Sequence, residues 1–442
     1  MQTIQTEVIE LENCQDTDPF SVYRRATEYF GERHAFLAES VVGPDIDCSQ
    51  SIVAIGHLAS ICFARDAIRI TAGQAIGSHL ARTIESQLSG LKFDNDGVAG
   101  IDSSSQFWTA LRAVLTSSYR TDGNDDCSGF VVRMDYDTAA MIERIPAHMA
   151  RTATTLIRLD LFQHTAVLAD GRIRLLVNRA TDFPSPDISA LKTLFSPLAP
   201  LPRFVSHSLH VRYSTTQSEY LAACEKALQE IHAGNIYQVQ LGHGIHIRNG
   251  MPPSTLYGIL RAQNPAPYMF LHQAPDMALV GASPENYVRV EGRRLRMRPI
   301  AGTQAKTAGV AAQTLRSQLS SSQKENAEHV MLVDLCRNDI GRLCEPGTLC
   351  VPSLMQLEEF PALYHLISTV QGTLRRGVDP VDVLCATFPA GTMTGAPKIR
   401  AMEIIEELES SPRGQYAGAL GIIGFNGAMN MALCIRMACL QD

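Results

Sequence analysis

The sequence holds no C-x-x-C pair, no apolar run long enough to cross a bilayer, no internal repeat and no net positive charge. Each absence removes a class of function. Eleven cysteines are scattered from Cys14 to Cys439, with Cys336, Cys344 and Cys350 the nearest group. Without paired spacing they read as reduced small hydrophobes, not as a zinc site or a disulfide frame. A formal charge of −7 and a pI near 6.0 argue against a nucleic-acid or membrane-surface partner, which would need clustered Lys and Arg to neutralise phosphates. The segment Met1 to Glu7 has no basic region ahead of an apolar stretch, so the expectation is a cytoplasmic protein with no membrane segment.

What remains is ample core material: 442 residues, 45% of them hydrophobic. Helical spacing marks 19–30, 218–233, 321–335, a short segment 381–388 and 399–408. Strand signals fall at 35–40, 51–55, 61–64, 67–71, 129–134, 156–162, 173–177, 236–241, 269–272, 277–281, 287–290 and 294–298, with a last hairpin around Asn426-Gly427. Strands gather in hairpins instead of alternating with helices, which predicts an α+β fold of layered, largely antiparallel sheets flanked by helices. The Pro-rich stretch 196–202 is the best internal boundary, dividing a region 1–202 from a region 203–442 that pack as one globular unit.

Chemistry concentrates in the second region. The stretch Phe388 to Lys398 is a loop of small residues, Ala390-Gly391-Thr392 and Thr394-Gly395-Ala396, after which Pro397 opens a helix at a favoured position. Small residues admit a ligand to the backbone, and the N–H groups of the following helix suit a carboxylate; a Gly-rich connection of no further purpose is the competing reading. Glu325 and Glu328 stand three apart on one helix face beside His329, and could hold a hard divalent cation or form a solvated acidic face. Glu285 follows Pro284 at the end of an apolar strand, where it faces a cavity or ends a capped turn. Arg337-Asn338-Asp339 reads as a structural polar network, and His365 as a core histidine unless a cavity meets it.

Taken in order, these words resemble the chorismate-utilising enzymes of the anthranilate synthase large-subunit and aminodeoxychorismate synthase type, from about residue 19 to 436. The matching words are Phe36-Leu-Ala-Glu-Ser40, Gly234-Asn-Ile-Tyr-Gln-Val239, Asn264-Pro-Ala-Pro-Tyr-Met-Phe270, Gly281-Ala-Ser-Pro-Glu285, Arg298-Pro-Ile-Ala-Gly-Thr303, Lys324 to Asp339, Phe388 to Lys398, Pro412-Arg-Gly-Gln-Tyr416 and Ile435-Arg436. The resemblance implies that Glu328, with Glu325, holds Mg²⁺ against the ring carboxylate of chorismate. It makes Glu285 the general acid for the departing C4 hydroxyl and His365 the histidine associated with eliminating pyruvate. Gly391, Thr392, Gly395, Ala396, Tyr416 and Arg436 would bind substrate carboxylates, with Thr392 also counted in the catalytic set. Gln238 stands where water-using relatives carry a lysine base, which ammonia, already a nucleophile, does not need.

Ala301 replaces the lysine typical of aminodeoxychorismate synthases, so the expected reaction is chorismate plus ammonia to anthranilate plus pyruvate. The alternatives are an aminodeoxychorismate or aminodeoxyisochorismate synthase without pyruvate release, and a catalytically inactive regulatory homologue. No Gly-x-Cys-x-Gly word occurs, so ammonia from glutamine implies a separate amidotransferase subunit. Glu39, Ser40, Asn264, Pro265, Ala266, Tyr268 and Met269 resemble the two halves of a tryptophan feedback pocket, with Ala266 where serine is usual. Val132, Arg133 and Asp135 depart from the glycines and tyrosine usual in the family. Relatives carry a Gly-rich strand and an acidic helix after the arginine matched by Arg436, supplying backbone N–H groups and an opposing Mg²⁺ carboxylate, whereas this sequence ends at Asp442.

Overall fold

A computed structural model describes all residues except 12–16, 45, 49, 122, 124, 147–154, 197, 199–209, 249, 308, 361–362 and 442. Most of the boundary stretch 196–202 therefore lies outside the described residues.

Two long strands organise the fold. Ser51–Phe63 and Ile157–Ala169 pair along their whole length, and the register slips between His57 and Ala59. Gly56 supplies the bend with φ +76, a conformation that costs glycine little and most other residues more. The two apolar runs read separately at 51–55 and 61–64 are thus one strand that turns a corner. Its first half pairs with Ala35–Glu39, which pairs with Tyr268–Gln273, then Ala278–Ser283 and Met437–Leu440. Its second half pairs with Ala67–Ala72, while Ile157–Leu161 pairs with Gly129–Met134. From there a second sheet continues through Ala419–Gly424, Met429–Leu433, Asn286–Glu291, Arg294–Met297 and Leu363–Thr373, whose other edge carries Ile300–Ala305 and Cys350–Glu359. These pairings are all antiparallel.

Side-chain alternation then builds the layers. Val131, Leu420 and Ile422 meet Phe36, Ile52, Phe270 and Leu279 between the sheets. Their neighbours Val132, Ala419 and Ile423 face outward onto the helices Gln74–Glu85, Ser104–Ala113, Gln323–Gly341 and Pro380–Thr387. On the opposite outer face the helix Pro19–Phe30, capped by the Asp18 carboxylate, and the helix Pro253–Gln263 cover Leu37, Val53 and Leu271. The architecture is helices, sheet, sheet, helices, and the expected layered α+β fold is present.

Some local expectations changed. The strand expected over 236–241 shrinks to Gln238–Val239, which pairs with the two-residue stretch Gly395–Ala396. The helix expected over 321–335 runs through Gln323–Gly341, taking Arg337, Asn338 and Asp339 into its body. Helices at Gln74–Glu85, Ser104–Ala113 and Pro253–Gln263, and the strand Gln2–Leu11, were not foreseen from periodicity.

Gly281 lies opposite Phe270, and a Cβ there would come within 2.2 Å of the ring. Gly281→Ala is expected to cost about 1–3 kcal/mol, as overpacking of a filled core does; an unchanged urea midpoint would remove this contact from the account.

Candidate active site

The chain passes between the two sheets twice at one place. Ser283-Pro284-Glu285 leads from Ala278–Ser283 into Asn286–Glu291, and 434–436 leads from Met429–Leu433 into Met437–Leu440. The two passages bond to each other: Ala282 N–H donates to the Arg436 carbonyl (3.1 Å) and Leu433 N–H to the Glu285 carbonyl (3.1 Å). Arg436 takes φ +47 at this crossing. Glu285 and Arg436, 151 residues apart in sequence by subtraction of their numbers, are thereby set side by side.

Glu285 is buried, and burial pushes its carboxyl up to about 8. The Thr392 hydroxyl, the Ile300 N–H and the Arg436 guanidinium pull the other way and do not overcome it. Thr392 acts at close range without meeting hydrogen-bond geometry, since its buried Oγ1 has no partner. His365, on the strand Leu363–Thr373, is oriented by Thr303, whose hydroxyl lies 2.9 Å from Nδ1, while Nε2 is buried and unpartnered. Burial lowers the histidine's pKa, with Arg436 adding to the effect, so the ring is held neutral. Arg436 in turn is lowered by burial.

A second group lies along the loop 388–396. Gln238 Nε2 donates to Glu328 Oε1 (2.8 Å), and Gln238 Oε1 is another buried atom without a partner. Gln240 Nε2 donates to the Tyr416 hydroxyl (2.9 Å). Beside Gln238 and Glu328 opens a groove of about 960 Å³, whose wall includes Tyr237, Val330, Met331 and Leu354. Among the described residues no three His, Cys, Asp or Glu side chains converge on a metal position. Glu325 and Glu328, half-buried and one turn apart on the helix, and the unpartnered Gln238 Oε1 are hard oxygens of the kind that would suit Mg²⁺.

The glycines of the loop serve packing as well as openness. A Cβ on Gly391 would meet Leu335 Cδ1 at 2.8 Å, and one on Gly395, with φ +142, would meet the Gln238 carbonyl oxygen at 2.1 Å. Pro397 stands at the cap of Lys398–Leu408, which no side chain caps, so the first-turn N–H groups have no side-chain partner. Three residues unassigned from sequence hold this arrangement. Arg413 donates to the carbonyls of Met393 (2.8 Å) and Gln240 (2.6 Å) and to Glu409. Lys398 pairs with buried Asp339 (2.6 Å) and reaches the Thr387 carbonyl (3.2 Å), the structural role expected of the 337–339 network. Thr303 orients His365 as described. Each lies in a word singled out from the sequence, but only contact geometry reveals its task.

The two halves of the expected effector pocket are also brought together: Met269 stands opposite Glu39 in adjacent strands, and Val41 N–H donates to the Ala266 carbonyl (3.2 Å). Their polar atoms are largely engaged within the protein. Glu39 accepts from Arg261 Nε (2.8 Å), Arg261 Nη2 (2.7 Å) and the Tyr257 hydroxyl (2.6 Å). Ser40 bonds to Ser51 and the Gln50 carbonyl, Tyr268 donates to Asp47 (2.7 Å), and the Asn264 N–H closes the preceding helix on Leu260. Pro265 completes this turn.

Residues 72–442 match the chorismate binding enzyme family. A 2-amino-4-deoxychorismate synthase of Streptomyces globisporus is 38% identical over 436 residues, covering 96% of this chain and 87% of that protein. Anthranilate synthase component 1 of Aquifex aeolicus is 45% identical over 232 residues, 52% of this chain and 47% of that protein. The crystal structure of anthranilate synthase component I from Streptococcus pneumoniae superposes with a TM-score of 0.71 at 27% identity, covering 91% of this chain and 86% of that one. The menaquinone-specific isochorismate synthase of Escherichia coli, at 17% identity and TM-score 0.67, shares the fold.

Two outcomes follow from the electrostatics. Glu285→Gln is expected to raise stability near pH 8 and leave it unchanged below about pH 4.5. The sign comes from linkage: the unfolded carboxyl ionises above about 4.5 while the folded one stays protonated to about 8, so the native protein loses stability across that window and the glutamine variant does not. Thermal melts against pH decide it. Arg261→Ala leaves the buried Glu39 carboxylate with Tyr257 alone, and is expected to cost about 2–3 kcal/mol, reduced from the usual range because Arg261 keeps solvent access; a loss below measurement error in denaturant titration would contradict it.

Proposed function

Since this chain is a member of the chorismate binding enzyme family, we propose that it is an aminating chorismate-utilising lyase, converting chorismate and ammonia to anthranilate and pyruvate. The observation that carries the reading is a carboxyl held protonated near neutral pH with the unsatisfied buried Thr392 Oγ1 beside it, together with the unsatisfied His365 Nε2 and, in the second group, Gln238 Oε1. Buried polar groups without partners are costly, and a polar ligand would supply those partners.

In this reading Glu285 gives its proton to the departing C4 hydroxyl, a role suited to a carboxyl whose pKa lies near the working pH. Arg436 grips a substrate carboxylate, and Thr392, Tyr416 and the backbone of Gly391, Gly395 and Ala396 position the rest. Neutral His365, fixed through Nδ1 by Thr303, presents Nε2 as the base for the ring proton lost when pyruvate leaves. Gln238 offers an amide and no base, which suits ammonia more than water. Glu325 and Glu328 would hold Mg²⁺, which when bound neutralises a substrate carboxylate. Ammonia comes from a glutamine amidotransferase subunit. Tryptophan feedback is proposed only in weak form, because Glu39 is already neutralised by Arg261.

A second reading stops at the aminated, non-aromatic product with no pyruvate released. It is supported by the relative matched over nearly the whole chain, which is named for an aminodeoxychorismate product.

Purified protein incubated with chorismate, Mg²⁺ and ammonium is expected to give anthranilate fluorescence and pyruvate together. Consumption of chorismate without pyruvate would replace the first reading by the second, and no consumption by folded protein would sink both. Glu328→Gln is expected to lower turnover by about 100-fold or more while the thermal melt is kept.

A further inference from the structure

His329 stands next to Glu328 in sequence, yet no step of the proposed reaction uses it. It is fully buried in the helix Gln323–Gly341. Its Nδ1 lies 3.2 Å from the Ala301 carbonyl and its Nε2 lies 2.6 Å from the Ser368 hydroxyl. A carbonyl only accepts, so Nδ1 carries the proton and Nε2 is left to accept from Ser368. Ser368 Oγ in turn accepts the Met355 N–H (2.8 Å). Burial lowers the pKa of His329 against the opposing pull of the Ala301 carbonyl and Glu328, so the ring is neutral and one tautomer satisfies both contacts.

The carbonyl it holds lies at an irregularity. Where Ile300–Ala305 pairs with Leu363–Thr373, Ala301 stands opposite Leu366 and Thr303 opposite His365, so Gly302 is an extra residue in the ladder. Gly302 takes φ +81, and a Cβ there would come within 3.1 Å of Leu366, which favours glycine on both counts.

A bulge re-aims the side chains beside it. Here Thr303 Oγ1 comes 2.9 Å from His365 Nδ1, and the Gly302 carbonyl lies 3.4 Å from the same nitrogen. Because that carbonyl also only accepts, His365 Nδ1 holds the proton and Nε2 is left as the free base. On the other side of Ala301, the Ile300 N–H acts on the Glu285 carboxyl. The segment 300–303 therefore touches both the acid and the base of the proposed reaction. Its side-chain anchor comes from the helix that bears Glu325 and Glu328.

We propose that His329 is a positioning residue: its Nδ1 N–H pins the Ala301 carbonyl and so holds the bulge in the register that aims Thr303 at His365 and Ile300 at Glu285. The effect on turnover rests on the aminating reading above, whereas the pin and the two tautomers do not. A histidine that only filled the core would matter by its volume. A pin matters by the place of its donor.

Two substitutions separate these roles. His329→Asn puts an amide N–H where Nδ1 stands but leaves the larger void, and His329→Gln fills more of the ring's volume but carries its amide one atom farther, toward Ser368. The asparagine variant is expected to keep kcat within about fivefold and the glutamine variant to lose about 30-fold or more, with KM for chorismate changed less than about threefold in either. Thermal melts are expected to run in the opposite order, lower for asparagine than for glutamine. NMR of protein labelled at the histidine nitrogens reads the pin without substrate. His329 and His365 are both expected in the Nδ1-protonated form, and the His365 signals are expected to hold in the asparagine variant and move toward a tautomer mixture in the glutamine variant. If the unsubstituted protein consumes no chorismate, the proposed reaction fails and these spectra still decide the pin. Three results overturn the proposal: His329 in the Nε2-protonated form, His365 signals unchanged in the glutamine variant, or kcat and His365 signals that follow the melting temperature across the two variants.

Discussion

The paired crossing of two chain segments between the sheets is the constraint on which the rest depends. A strand that leaves one sheet for another must expose backbone groups at the step, and here two such steps satisfy each other through the Ala282–Arg436 and Leu433–Glu285 bonds. The crossing therefore exists only as a pair. It places a carboxyl and a guanidinium in the same buried space, and it gives Arg436 a backbone conformation that few side chains adopt freely. Glu285 is buried at that position, and burial keeps it protonated well above the usual carboxylate range.

Around this pair the protein spends rigidity on small residues. Gly391 and Gly395 bring the loop against Leu335 and the Gln238 backbone, closer than any Cβ would permit, and Arg413 clamps the loop to the Gln240 carbonyl and to Glu409. What is left unsatisfied is correspondingly specific: one imidazole nitrogen, one hydroxyl and one amide oxygen. These are acceptors and donors held in place before any ligand arrives, the condition under which electrostatic stabilisation of a developing charge is most effective.

The same inter-sheet space has different chemistry along its length. Its middle is apolar, filled by Phe36, Phe270, Leu279, Leu420 and Ile422. Where the words resembling a feedback pocket meet, Glu39 is closed over by Arg261 and Tyr257. Farther along, Arg158 stands opposite Arg133, the first bonded to Asp160 and Ser60 and the second paired with Asp135. The departures from the family pattern at Arg133 and Asp135 form a buried ion pair that the surrounding apolar core does not share.

Much of the fold was legible because its signals are local. Strand signals marked Gly129–Met134, the Asn426-Gly427 pair marked the last turn, helical spacing over 218–233 marked the helix Gln217–His232, and ordered words carried the family. The site words were legible as residue types in order. Tertiary structure alone decided that the two apolar runs before and after Gly56 form one bent strand, since a corner is defined by its partner strand. It alone decided that Gln238 lies in a two-residue ladder beside Glu328, that Thr303 aims His365, and that His329 bonds the Ala301 carbonyl. The reason is physical: sequence fixes which face a side chain can take within its own element, whereas charge partners, burial and the pKa values they set depend on which distant strand lies opposite.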